Sequence, residues 1–196
     1  DMLFKYPFTN GEELNYHVLK KNFREPYFIW IHYSDTHDPY IDTFFPLPVS
    51  NFLWHQFTRR PSISQSSKLS WPLVSSNRSE LFKRLYQKKV RYMDACLHNL
   101  FITSGKFSLE KMNFILTSDH GQLLGEYNQL GHGYRVIPTP ESSNVPLYIK
   151  RTEQDKNHTD NKKCTLLDIT PTISDLANVP LLKRYDGNSL LDESRL

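Results

Sequence analysis

Apolar residues recur at helical spacing near the start of the chain, with Leu14, Val18 and Leu19 on one stripe, which predicts a helix over 12–22 that stops before Pro26. The pattern then changes. Residues 27–33 are a nearly unbroken aromatic and β-branched run, the signature of a strand covered on both faces. The run ends in a polar turn, Ser34-Asp35-Thr36-His37-Asp38-Pro39. Over 41–77 no period is visible and Pro, Ser and Phe dominate, so this stretch reads as a long irregular excursion with one short helix at 52–57.

Regular patterning resumes at Ser79, an expected N-cap for a helix running to Thr103 with Leu81, Leu85, Tyr92, Cys96 and Leu100 on its covered face. A second apolar run at 113–117 ends in Ser118-Asp119-His120-Gly121. A loop punctuated by Gly121, Gly125, Gly131 and Gly133 leads to a third predicted strand at 145–150. A polar loop over 153–163, a short helix over 167–177 and a turn at 186–191 complete the chain. Helices and strands alternate, which predicts an α/β domain with a mostly parallel sheet.

Composition narrows the class. At 196 residues, 38% hydrophobic and 23% charged, the chain has the profile of one globular domain or a large piece of one. A net charge of +3, with the basic residues scattered, argues against a nucleic-acid partner. No run approaches the roughly 20 apolar residues of a membrane span. Cys96 and Cys164 follow no pairing or metal-binding pattern and read as thiols without a chemical role. The triplets Asn77-Arg78-Ser79 and Asn157-His158-Thr159 fit glycan acceptors but arise often by chance, and the compartment is left open.

In open parallel sheets, ligand sites gather beyond the carboxyl ends of strands. Two predicted strands end in acid–histidine clusters, Asp35 to Asp38 and Asp119-His120, and His132 stands between Gly131 and Gly133. One carboxylate with imidazoles is suitable chemistry for a divalent cation. Neighbouring residues of a regular strand point to opposite faces, so Asp119 and His120 must leave the strand to act together, and Gly121 permits the turn.

These segments are similar, in order, to motifs of the sulfatase family. Residues 26–40 resemble its strand and histidine-bearing loop, and 86–100 its Tyr-x-x-x-Val-x-Tyr-x-Asp helix. Residues 113–136 resemble its Ser-Asp-His-Gly turn and glycine-rich loop, 145–150 its Val-Pro-Leu strand, and 167–179 with 186–190 its closing helix and Asp-Gly-x-Ser-Leu turn. The resemblance implies an alkaline phosphatase-like fold, a three-layer sandwich, of which residues 1–196 would be the C-terminal half of a single catalytic domain. It implies that Asp119 and His120 hold a divalent metal, calcium in most sulfatases and manganese or zinc in some relatives. It implies that His37 contacts the sulfate or phosphate group or the leaving oxygen. Typical sulfatases carry a lysine in the loop after the metal-binding turn; here that loop offers His132, a pattern closer to relatives that cleave phosphonate and phosphate esters, and His132 is the second candidate catalytic and substrate-binding group. Asp35, in the same acid–histidine cluster as His37, is a further candidate substrate-binding residue.

The family's formylglycine nucleophile arises from Cys-x-Pro-x-Arg or a near variant, and neither Cys96-Leu-His-Asn-Leu nor Cys164-Thr-Leu-Leu-Asp qualifies. The nucleophile and the paired aspartates of the family's first strand are therefore expected outside this chain, which would be inactive by itself. The expected substrate is a small-molecule or glycan sulfate ester. The alternatives are a phosphodiesterase, phosphonate monoester hydrolase or phosphoglycerol transferase of the same fold, and a non-catalytic binding module. An exposed sheet edge would be covered by the missing half or by a second copy.

Overall fold

The computed structural model of the chain describes residues 10–37, 40, 76–132, 138–152, 159, 161, 163–180 and 184–191. Their regular elements, in chain order, are α1 (Gly11–Lys20), α2 (Ser76–His98), β1 (Phe114–Thr117), β2 (Leu123–Leu124), β3 (Leu130–Gly131), α3 (Pro140–Ser143), β4 (Leu147–Lys150) and α4 (Ile169–Leu176). They fall into two compact units, one drawn from Asp1–Phe107 with Gln122–Ser142, the other from Ser108–Gly121 with Ser143–Leu196. Most of the predicted excursion, with its short helix, and most of the predicted 153–163 loop lie outside the described residues.

In the first unit, α1 starts where its first free N–H groups find a partner: the Asn10 side chain accepts from the Glu13 N–H at 2.9 Å. At the other end, the Lys106 ammonium donates to the carbonyls of Leu19 and Lys21, which the helix leaves unpaired. Val18 is fully buried. In α2 the covered stripe is Phe82, Lys89, Met93 and Cys96, and it continues to Leu100 in a π turn at Asn99–Thr103. Of the predicted face, Cys96 and Leu100 are buried, Leu85 and Tyr92 are half-buried, and Leu81 is exposed. Lys89 is a covered position that its polar character hid, with its aliphatic stem buried and its ammonium over the Tyr92 ring. Tyr40 packs edge-on against Phe82 and Tyr86.

Residues 27–33 are not in a strand ladder. Phe28, Trp30 and His32 are exposed, whereas Ile29, Ile31 and Tyr33 are half-buried. The alternation has the period of a strand, but Trp30 is 74% exposed, so the predicted covering of both faces does not hold. A ladder needs a hydrogen-bonded neighbour, and none of the described residues supplies one here.

β2 and β3 pair antiparallel, Leu123 with Gly131 and Leu124 with Leu130. This short hairpin is held against the first turns of α2. Ser79, predicted as an N-cap, lies inside that helix, and its hydroxyl donates to the Leu124 carbonyl at 2.6 Å. Gly125 has a φ of +124°, and a Cβ there would lie 1.6 Å from the Ser79 hydroxyl oxygen. Only glycine fits.

The second unit pairs β1 with β4, in the register Phe114 with Lys150 through Thr117 with Leu147. The two strands run antiparallel. The sequence predicted a mostly parallel sheet, and a parallel pair needs a long crossover between its strands, usually a helix; the described residues between β1 and β4 hold a hairpin and the four-residue α3 and no long helix. The closing helix begins with a capping box, in which Thr165 and Asp168 each accept from the other's backbone N–H. Asp168 also accepts from the Asn188 N–H at 2.8 Å, and the Thr172 hydroxyl accepts from the Leu190 N–H at 2.9 Å. The 186–190 turn thereby docks on α4 through two buried polar side chains. Gly187 approaches so closely that a Cβ would lie 2.1 Å from the Leu167 carbonyl oxygen.

Candidate active-site histidines and metal ligands

The first candidate cluster forms in the first unit. His37 closes a turn in which its N–H donates to the Ser34 carbonyl at 3.0 Å, and the side chain is exposed. Its ring meets that of His132 edge-to-face, with centroids 4.8 Å apart and planes at 78°. Nearly a hundred residues of chain separate the two. The sequence named both; their contact comes from the tertiary structure.

His132 sits just after β3, and its Nδ1 is 2.6 Å from the Gln122 side-chain oxygen. With the amide oxygen as acceptor, Nδ1 is the donating nitrogen of this pair. Gln122 is anchored in turn, since its N–H donates to the Glu141 carbonyl at 3.1 Å. Gln122 was not singled out from the sequence. A neutral amide two residues beyond the acid–histidine pair carries no chemistry of its own, and the hairpin register that aligns it with His132 was not foreseeable.

The hairpin itself is fastened electrostatically. The Glu126 carboxylate accepts from the Leu124 N–H at 2.6 Å and faces the Lys83 ammonium at 3.5 Å. Partial burial raises its pKa, but these donors outweigh it, and the net value falls below the ordinary carboxylate range.

Asp35 is the second residue of the His37 turn. Its carboxylate points at the first turn of α1, with Oδ2 3.5 Å from where a Cβ on Gly11 would be.

The second cluster lies in the second unit. Asp119 and His120 follow β1, outside the ladder, as their adjacency requires. Ser118 Oγ donates to the His120 carbonyl at 2.8 Å and Asp119 Oδ1 accepts from the His120 N–H at 3.0 Å, so the turn is internally braced. His120 Nδ1 is 2.9 Å from the Gly121 carbonyl oxygen, which can only accept, so the proton sits on Nδ1. His120 Nε2 then faces Asp119 Oδ2 at 3.7 Å. A ring nitrogen and a carboxylate oxygen on one turn are donors of the kind that bind a divalent cation. A carbonyl holding the opposite ring nitrogen is also the usual way a metal-binding imidazole is oriented. The donor set therefore fits a divalent metal. No group of three or more His, Cys, Asp or Glu side chains placed to hold a metal occurs among the described residues, so these two would form part of a site.

A family model for sulfatases matches residues 12–179. The chain belongs to the sulfatase family. Among curated sulfatases, arylsulfatase K of Bos taurus is 35% identical over 102 residues, 52% of this chain and 18% of that protein. Arylsulfatase K of Gallus gallus is 37% identical over 83 residues, 42% of this chain and 15% of that protein. A putative extracellular sulfatase Sulf-1 homolog of Caenorhabditis elegans is 36% identical over 78 residues, 40% of this chain and 11% of that protein. The chain thus spans less than a fifth of the length of these relatives. No solved structure matches it significantly. The histidine-bearing turn, the Asp119-His120 turn and the 122–132 hairpin of this sulfatase-family chain all fall inside the matched residues. Both cysteines are free, Cys96 buried and Cys164 exposed. Among the described residues, no helix is long and apolar enough to cross a membrane.

Proposed function

We propose that this chain carries part of the active site of a metal-dependent sulfuric ester hydrolase. The observation that carries the reading is the contact of His37 with His132 in a chain that belongs to the sulfatase family. In sulfuryl transfer the protein mainly positions the group and stabilises charge on its oxygens, and two adjacent imidazoles suit that work. With Nδ1 held by Gln122, a protonated His132 ring would offer its Nε2–H to a sulfate oxygen. His37, exposed beside it, would donate to a sulfate oxygen or protonate the leaving alkoxide.

Asp119 and His120 would hold the divalent ion, calcium being the first expectation and manganese or zinc the others. When bound, such an ion supplies charge stabilisation at the ester oxygens. Further oxygen ligands and the formylglycine nucleophile would come from sequence outside residues 1–196, in a domain completing the three-layer sandwich with a mostly parallel sheet. By itself the chain is then expected to be inactive. The arylsulfatase relatives favour a sulfate over a phosphate ester, small or glycan-borne.

The test is steady-state kinetics of the complete polypeptide with an aryl sulfate and the matching aryl phosphate. His37→Ala and His132→Ala should each lower kcat/KM for the sulfate by about 100-fold or more, the usual loss when a transition-state donor or proton carrier is removed. Turnover of the phosphate alone would turn the assignment to a phosphoesterase of the same fold. Unchanged kinetics in both variants would remove the site.

A further inference from the structure

We propose that Asp35 is a positioning residue, whose carboxylate docks the 34–37 turn on the first turn of α1 and thereby sets His37 against His132. The inference rests on the reading of His37 as a substrate-contacting group.

Three features of the first unit carry it. Asp35 Oδ2 lies 3.5 Å from the position of a Cβ on Gly11, and Gly11 is the first residue of α1. That end of a helix is the positive pole of the helix dipole, so a carboxylate there is stabilised. Gly11 itself is buried, and its missing side chain leaves room for the approach: a Cβ would also lie 3.1 Å from Cys96 Sγ and 3.2 Å from Met93 Sδ.

Tyr33, two residues before Asp35, supplies a second hold on the same segment. Its O–H donates to Asn15 Oδ1 at 2.5 Å, and Asn15 Nδ2 donates to the Cys96 carbonyl at 2.7 Å. Asn15 is buried, so one side chain joins the histidine-bearing segment, α1 and α2. The Glu12 N–H donates to the Tyr92 hydroxyl at 3.2 Å, closing the network from the other side. Burial raises the pKa of Tyr33, Tyr92 and Cys96, and the negative charge of Asp35 raises all three further, which places that charge inside the same cluster. The Asp35 carboxylate, packed against the α1 end and this buried set, acts through the turn it braces. The sequence reading had made Asp35 a substrate-binding residue; this inference reassigns it.

The experiment is a double-mutant cycle on the complete polypeptide, with an aryl sulfate as the probe. Asp35→Asn keeps the shape and removes the charge. It should lower kcat by about 10- to 100-fold, the scale of a reacting group misplaced by an ångström, with KM little changed. In a His37→Ala background it should cost nothing further, because its effect passes through His37. Tyr33→Phe, which deletes only the second hold, should show the same pattern more weakly and serves if Asp35→Asn does not fold. A rise in KM at unchanged kcat, or losses that multiply in the double variant, would make Asp35 a direct substrate contact and overturn the proposal.

Proton NMR separates this outcome from failure of the functional reading. The wild type should show through-space contacts between the His37 and His132 rings, and Asp35→Asn should lose them. If His37→Ala leaves catalysis intact, the hydrolase site is wrong, while the ring contact still decides the role of Asp35. Retention of that contact in folded Asp35→Asn overturns it.

Discussion

Gly125 illustrates how a single position holds the hairpin that carries His132. Its φ of +124° already penalises any L side chain, and a Cβ would collide with Ser79, which donates to Leu124 next door. Gly125→Ala should therefore destabilise the first unit by about 2–4 kcal/mol, from overpacking and backbone strain together, measurable as a shift in the urea midpoint. Glu126 braces the same hairpin by charge. Because its folded pKa lies below the ordinary value, its contribution is present above the unfolded pKa and is lost as the pH falls through the folded one. Stability of the wild type should therefore exceed that of Glu126→Gln near neutrality, and the gap should close in acid. A gap that widens toward low pH would contradict the Lys83 and Leu124 contacts as its source. The same residues bound what could be read without coordinates. His37 and His132 were recognisable by their place beside turns and glycines. Gln122 and Ser79 were not, because their roles exist only once the hairpin lies against α2.

Among the elements, α4 shows the closest tie between local motif and long-range packing. Asp168 completes its capping box and also accepts from the Asn188 backbone, 20 residues away. Asp168→Ala leaves those N–H groups without an acceptor in a buried site and should cost about 2–4 kcal/mol. Hydrogen exchange at Asn188 and Leu190 should rise first, since their amides pair with Asp168 and Thr172. The helix over 167–177 was legible from its apolar spacing; its capping box and the docking of the 186–190 turn came from the structure. Strands were read less well. The apolar run at 113–117 announced β1 within a residue, yet nothing in it specified that β4 would return antiparallel. Polarity is a property of the connection.

For the molecule as a whole, chelation tests the metal reading by itself. Calcium or manganese should raise the thermal midpoint of the complete polypeptide by mass action, and Asp119→Ala and His120→Ala should abolish the rise. The readout needs no turnover, so it stands whatever the substrate. In the complete polypeptide, chelator should remove aryl sulfate hydrolysis and re-addition of the metal should restore it. Equal midpoints with and without metal in the complete polypeptide would refute the assignment of Asp119 and His120.

What the amino-acid order determined by itself is the family, and it named the candidate site positions. Periodicity, turn residues and acid–histidine clusters are local, so they survive being read one stretch at a time. The tertiary structure alone decided which of those positions meet: His37 with His132, Asp35 with the end of α1, Asp168 with Asn188. It also decided that β1 and β4 oppose each other and that Lys89 is covered. Each of these depends on chain closure between residues far apart, where the energy comes from burial and hydrogen bonds that no local pattern records.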